Sequence, residues 1–144
     1  MTTVAIIVTI LDMPEPTLFT NIINGVIPSH VVYQDDQTFA FMDIHPLTPG
    51  HILVISKAQV EFVWDLEPAD YEALMQTVRL IALRLRTVMG TPYVGEKIVG
   101  SDVPHAHVHL MPFTDSSELH RSQDFSKDPD HVVLATLAEK IRFS

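Results

Sequence analysis

The stretch His105-Ala106-His107-Val108-His109-Leu110-Met111 alternates histidine with apolar residues. Strict alternation of this kind predicts a half-buried β-strand. Side chains at alternate positions of a strand point to the same face, so the three imidazoles are expected to form one row with a spacing of roughly 6.5 to 7 Å. Because histidine titrates near neutral pH and can act as a nucleophile, a base or a metal ligand, this row indicates a functional site.

The residues alone leave three interpretations of the row open. Neighbouring imidazoles can chelate zinc. Alternatively, one histidine can attack phosphorus while its neighbours bind the phosphate oxygens. The third interpretation is a set of solvent-facing histidines on an antiparallel strand, which the regular alternation disfavours. A further histidine, His51, precedes the apolar segment 52–55 and raises to four the number of imidazoles that can converge on one anion.

The overall composition limits the classes of partner. The chain has 144 residues, no cysteine and a net charge of -9, which predicts one domain with its own hydrophobic core. The negative charge argues against nucleic acid or an anionic membrane surface as a partner. The absence of cysteine excludes disulfides and thiolate metal sites, and it fits the cytoplasmic location that we expect.

The apolar run of residues 4–11 has the composition of a strand or an extended arm. It lacks a basic start, and Asp12, Pro14, Glu15 and Pro16 follow it in place of a small-residue cleavage site. These features disfavour a signal peptide.

The rest of the chain alternates helical and strand patterns. Helices are predicted over residues 17–24, 68–89 and 130–142, and strands over 31–34, 38–44, 51–56, 93–99 and 105–111. Pro68 suits the first turn of the long helix, and Gly90 suits its end. This order predicts an α+β fold that has a mostly antiparallel sheet of about five strands, one long helix and short flanking helices.

At the level of motifs, the chain resembles the histidine triad (HIT) superfamily, in particular its short Hint-like branch. The family pattern is His-φ-His-φ-His-φ-φ, where φ is apolar, and HAHVHLM fits it. The segments Phe39–Ile44 and Pro49–Lys57 also resemble the family. The resemblance implies a single HIT-like domain over residues 1–144, with an N-terminal arm (1–16), a core (17–113) and a C-terminal loop and helix (114–144).

The resemblance also implies a reaction. His107 would attack the α-phosphorus of a purine nucleoside phosphoramidate or a related nucleotide, and water would release a product similar to AMP or GMP from a nucleotidyl-histidine intermediate. His105, His109 and His51 would hold oxygens, and we expect the second ring nitrogen of His107 to donate to a backbone carbonyl. No cofactor is implied, and a homodimer is expected. Non-catalytic nucleotide binding and, less favoured, a tri-histidine metal site are the alternatives.

In the same family the nucleoside occupies an apolar slot closed by an acid. Asp43 matches the acid that binds the ribose hydroxyls, although its position before Pro46 would also suit an ordinary turn residue. Taken singly, the apolar matches would be read as core residues. The residues that match the slot are Leu18, Phe19, Ile22, Phe41 and Ile44.

The chain departs from the family pattern at several places, among them an arginine position occupied by Phe113 and an asparagine position without a counterpart in residues 94–98. Two further departures bear on metal binding and on the leaving group. Thr17 and Thr20 stand where many bacterial members have a Cys-x-x-Cys segment, and Gln59 replaces a histidine, so we predict no structural zinc of that type. Ser101 and Asp102 are expected to contact the substrate, and Asp102 stands where the family usually has a serine that assists the leaving group. The nature of the leaving group is therefore open.

Overall fold

The computed structural model describes residues 14–143. The apolar run of residues 4–11, for which a strand or an extended arm is predicted, lies outside the described residues.

The centre of the fold is a five-stranded sheet in which every neighbouring pair is antiparallel. The strand order is β1-β2-β3-β5-β4. This confirms the predicted α+β class and the mostly antiparallel sheet. The strands are β1 (Val31–Gln34), β2 (Thr38–Met42), β3 (Ile52–Ser56), β4 (Tyr93–Lys97) and β5 (His107–Phe113).

Three α-helices flank the sheet: α1 (Leu18–Ile23), α2 (Pro68–Met89) and α3 (His131–Ile141). Two short 3-10 helices cover Val63–Asp65 and Ser116–His120. The long helix α2 begins at a proline and ends at Gly90, whose φ of 67° lies in the left-handed region that glycine tolerates. Within residues 14–143, no helix combines the length and apolarity needed to cross a membrane.

Both faces of the sheet are buried, each against different helices. One face packs on α2 and α3 through residues such as Val54, Val108 and Leu110. On the other face, Phe19 and Ile22 of α1 pack with the large apolar residues of β2 and β3. Since side chains alternate along a strand, the histidines of β5 lie on the face that α1 covers.

Candidate active site around the histidine row

His107 and His109 stand side by side on β5. They pair with Ile55 and Leu53 of β3, respectively, and their ring centroids are 5.3 Å apart. Both side chains are buried, at 3% and 7% exposure. The third histidine, His105, precedes β5, which begins at His107, two residues later than predicted. Its backbone amide donates to the carbonyl of Val103 in the preceding loop.

The tautomer of His107 is fixed by its own chain. Its Nδ1 lies 2.6 Å from the carbonyl oxygen of His105. A carbonyl only accepts, so Nδ1 carries the hydrogen and Nε2 keeps its lone pair in the neutral ring. No group among residues 14–143 hydrogen-bonds this Nε2, and the atom is not sealed from solvent. The expected contact with a backbone carbonyl is thus present, and it leaves a nitrogen that can attack.

A chain of hydrogen bonds, here called the histidine relay, sets the tautomer of His109. The backbone amide of Leu47 donates to Nδ1 of His51 over 2.9 Å. Because this nitrogen must accept, the hydrogen of neutral His51 resides on Nε2, which lies 2.9 Å from Nδ1 of His109. The relay therefore leaves His109 with a hydrogen on Nε2, ready to donate to an anion.

Burial keeps the relay uncharged. It lowers the pKa of His51 to about 4, and the positive charge of Lys97 acts in the same direction. Burial also lowers the pKa of His109 to about 4, and the carboxylate of Asp43 opposes this shift only in part. Both rings are therefore neutral at pH 7, as the hydrogen-bond directions require.

His105 has no nitrogen left for a ligand. Its ring is fully buried, its Nε2 donates to the carbonyl of Ser56 over 2.6 Å, and its Nδ1 accepts from the hydroxyl of Thr17 over 2.7 Å. Both nitrogens of His51 are likewise used within the relay. This differs from the expectation that His105 and His51 hold phosphate or leaving-group oxygens directly: in this structure the ring of His51 donates to His109, and the ring of His105 is bonded to Ser56 and Thr17.

Thr17, Thr20 and Gln59 stand where many family members have zinc ligands. Together with His105 they form a network of hydrogen bonds, here called the polar cluster. The hydroxyl of Thr20 donates to Oε1 of Gln59 over 2.5 Å, and the backbone amide of Thr17 donates to the same oxygen over 3.0 Å. The two threonine hydroxyls are 3.2 Å apart. Hydrogen bonds thus join α1 to His105 at this position.

Asp43 is buried and contacts the loop that follows the 3-10 helix Ser116–His120. Its Oδ1 accepts from the backbone amide of His45 over 2.8 Å, and its Oδ2 accepts from the side-chain amide of Gln123 over 3.0 Å. Gln123 also donates to the carbonyl of His45 over 2.8 Å. Burial raises the pKa of the Asp43 carboxyl. Sequence reasoning missed Gln123, since nothing in its loop marks it as a partner of Asp43.

Only part of the predicted apolar slot comes together. Phe19, Ile22 and Phe41 belong to one buried cluster, and the rings of Phe19 and His107 meet in a T-shaped arrangement with centroids 5.2 Å apart. Leu18 and Ile44 are 48% and 41% exposed and lie outside that cluster. Ile44 instead lines a separate cavity of about 380 Å³ against the C-terminal loop and α3. Leu53 and Ile55 belong to the same cluster as Phe19 and were not among the predicted slot residues. The alternation of side chains along β3 is the sequence signal that places both on this face.

Three buried groups are close enough to suggest a metal site. One ligand atom each of Asp43, His51 and His109 lies within 4.8 Å of the others. However, Nε2 of His51 carries a hydrogen because the Leu47 amide occupies Nδ1, and a protonated nitrogen cannot coordinate a metal. His105 cannot join a tri-histidine site either, since both its nitrogens are engaged. The donor chemistry therefore does not fit a metal in this arrangement.

A smaller cavity of about 210 Å³ lies beside His109. Asp102 lines it together with Lys97 and Arg121, whereas Ser101 is exposed and does not contribute to its wall. Of the two predicted substrate contacts before the histidine row, only Asp102 thus faces a cavity at the site. Lys97 and Arg121 had not been predicted as site residues.

The HIT domain family model matches residues 24–115. The chain belongs to the HIT family. Purine nucleoside phosphoramidase from Escherichia coli K12 is 35% identical to this HIT protein over 106 residues, which cover 69% of this chain and 88% of the relative. A HIT-like protein from Borreliella burgdorferi is 35% identical over 102 residues, which cover 66% and 73%.

The fold of this HIT protein also matches solved structures. The crystal structure of a HIT-like protein involved in cell-cycle regulation from Bartonella henselae superposes with a TM-score of 0.79 at 27% sequence identity. The match covers 90% of this chain and 96% of that one. It thus includes most of the C-terminal segment beyond the family model.

Proposed function

We propose that this HIT protein hydrolyses purine nucleoside phosphoramidates or related nucleotides at the α-phosphorus, with His107 as the nucleophile. The observation that carries the proposal is the pair of complementary nitrogens on β5. His107 presents a lone pair on Nε2, and His109 presents a hydrogen on Nε2. A nucleophile beside a donor for the negative charge that builds up on phosphorus is the arrangement that phosphoryl transfer requires.

In the first step, the lone pair on Nε2 of His107 forms a bond to phosphorus, and the bond from phosphorus to the leaving nitrogen breaks. The electron pair of that bond goes to the amine, which takes up a proton. In the second step, a water oxygen attacks the nucleotidyl-histidine, the N–P bond returns its electron pair to His107, and the water gives up a proton. The net reaction consumes one water and yields a nucleoside monophosphate and an amine, without a metal or cofactor.

The nucleoside is proposed to lie against α1, since the apolar cluster of Phe19, Ile22 and Phe41 borders His107 on that side. Asp43 is the proposed acceptor for the ribose hydroxyls. In the structure, Gln123 occupies one oxygen of this carboxylate, so ribose binding requires the side chain of Gln123 to move. A homodimer in the cytoplasm remains part of the proposal, based on the resemblance to the family.

Nucleotide binding without turnover is the second candidate. The residue at position 102 favours it, because Asp102 stands where relatives of the Hint-like branch have the serine that assists the leaving group.

Adenosine 5′-phosphoramidate provides the test. We expect the wild-type protein to release AMP and the His107→Ala variant to lose at least roughly 10³-fold in kcat. His120→Ala, which changes an exposed histidine of a 3-10 helix, is the matched control and should retain full activity. Mass spectrometry after an alkaline quench should detect nucleotidylated wild-type protein. Equal turnover by His107→Ala would refute the role of His107, and binding without turnover in the wild type would support the second candidate.

A further inference from the structure

We propose that the cavity beside His109 is a subsite for a negatively charged leaving group, which Lys97 and Arg121 would bind through a phosphate or a carboxylate. This inference rests on the proposed function and specifies the class of substrate.

The position of Lys97 follows from the pairing of the strands. Lys97 of β4 is the direct partner of His109 on β5, and directly opposed residues of an antiparallel pair project to the same face. The lysine therefore lies on the side of the sheet that carries the reactive rings. Arg121 reaches the same cavity from the loop after the 3-10 helix at residues 116–120.

The charges around the cavity favour an anion. Lys97, Arg121 and a single carboxylate, Asp102, are the charged residues that line it, while the rings of His51 and His109 are neutral at pH 7. Within residues 14–143, neither Lys97 nor Arg121 lies within 4.0 Å of a carboxylate oxygen. The one acid–base contact at that distance in this part of the chain joins His51 and Asp43. Two cations and one carboxylate thus line this cavity in a chain whose net charge is -9, and the buried carboxylate of Asp43 lies behind its wall, 3.5 Å from His51.

The geometry of the reaction indicates which part of the substrate would occupy the cavity. In an in-line displacement the leaving group departs from the side opposite the nucleophile. The cavity is lined by His109 and not by His107, while the two rings are neighbours with centroids 5.3 Å apart. A phosphorus held by both histidines would therefore direct its leaving group, away from His107, into the space beside Lys97 and Arg121.

Four adenosine phosphoramidates with leaving amines of similar length can test this. The amines are β-alanine (a carboxylate), 2-aminoethyl phosphate, β-alaninamide (neutral) and a diamine (cationic). We expect the wild type to have higher kcat/KM for the two anionic conjugates than for the neutral one, and the lowest for the cationic one. A higher kcat/KM for the 2-aminoethyl phosphate conjugate would indicate that the subsite recognises phosphate. A higher value for the β-alanine conjugate would indicate that it recognises carboxylate.

Lys97→Met and Arg121→Met keep much of the apolar stem of the side chain and remove the charge. Each should lower the ratio of kcat/KM for anionic over neutral conjugates by roughly fivefold, the effect of one partly exposed ion pair. Lys127→Met is the matched control, because Lys127 lines the adjoining cavity against α3 but not the cavity beside His109, and its loss should leave the ratio unchanged. Raising the salt concentration should reduce the wild-type ratio.

An unchanged ratio in both Lys97→Met and Arg121→Met, or a preference for the cationic conjugate, would overturn the subsite. If the wild type hydrolyses none of the conjugates, the proposed function fails, and calorimetric binding of pyrophosphate then tests the subsite separately. Binding that weakens in Lys97→Met but not in Lys127→Met supports the subsite, and the absence of binding to the wild type rejects it. If either Lys97→Met or Arg121→Met fails to fold, the subsite is tested by the ratio in the other variant and by the salt dependence of the wild-type ratio.

Discussion

Nε2 of His51 lies 2.9 Å from Nδ1 of His109, and this hydrogen bond determines which nitrogen of His109 can meet a ligand. Its direction is set at the far end of the relay, where the amide of Leu47 must donate to His51. His51 is almost fully buried and offers no nitrogen of its own to a substrate. It is therefore a positioning residue that acts through His109.

Replacing His51 should reduce kcat more than it changes KM. In His51→Ala, Nδ1 of His109 loses its donor, the tautomer is no longer fixed, and kcat should fall by roughly 10- to 100-fold, as is typical when a supporting hydrogen bond is removed. His51→Gln should restore part of the loss, because its amide nitrogen can replace Nε2, whereas the shorter His51→Asn should not. Steady-state kinetics of the three variants measure this. Equal activities of the Gln and Asn variants would contradict the relay.

The neutral histidines should make stability depend on pH. The pKa values of His51 and His109 are about 4 in the folded protein, against about 6.5 in an unfolded chain. Between these values the unfolded state binds more protons, so the free energy of unfolding falls as pH decreases through this window and is constant above it. Asp43 acts in the opposite direction, because burial raises the pKa of its carboxyl.

Urea unfolding at pH 6.5 and pH 5 measures this loss. We expect the free energy of unfolding to fall by about 1.5 kcal/mol for each ring that stays neutral. His120→Ala, at an exposed position, should not alter the pH slope, whereas His51→Gln should flatten it. A slope of opposite sign would show that the rings are charged in the folded state.

Local patterns in the sequence predicted the helices and strands. The hydrogen bonds that fix the site side chains, in contrast, come from residues far away in the chain. Alternation predicted β5, and Pro68 and Gly90 predicted the ends of α2. The ring of His105 is held by Thr17, which is 88 positions away in the chain, and Asp43 is held by Gln123, which is 80 positions away. A single sequence contains no signal for such pairings, because both partners are ordinary loop or cap residues in their own surroundings.

The polar cluster should accept zinc when three of its residues are changed. Nε2 of His105 donates to Ser56, so the lone pair on Nδ1 already points at Thr17. The triple variant Thr17→Cys/Thr20→Cys/Gln59→His adds two thiolates and an imidazole, which complete a tetrahedral set. We expect it to bind one zinc per chain and its Tm to rise by at least roughly 5 °C with zinc.

The control for that experiment is Thr17→Ser/Thr20→Ser, which keeps the hydroxyls and should show no response of the Tm to zinc. A chelator should reverse the stabilisation of the triple variant. Zinc-independent melting of the triple variant would mean that the backbone of α1 lies too far from His105 to close a metal site.

Removing the side chain of Gln123 should improve ribose binding. Its amide occupies Oδ2 of Asp43, the oxygen that a ribose hydroxyl would otherwise use. Gln123→Ala should therefore lower the KM for adenosine 5′-phosphoramidate by roughly threefold. This is less than the full effect of a hydrogen bond to a charged group, because the freed carboxylate gains water.

The KM for the 2′,3′-dideoxy analogue should not change in Gln123→Ala, since this analogue has no hydroxyl for Asp43. Combining the change with Asp43→Ala should abolish the gain, and Ser116→Ala, at an exposed position of the 3-10 helix, serves as the control. A higher KM in Gln123→Ala would instead mean that Gln123 itself contacts the nucleotide.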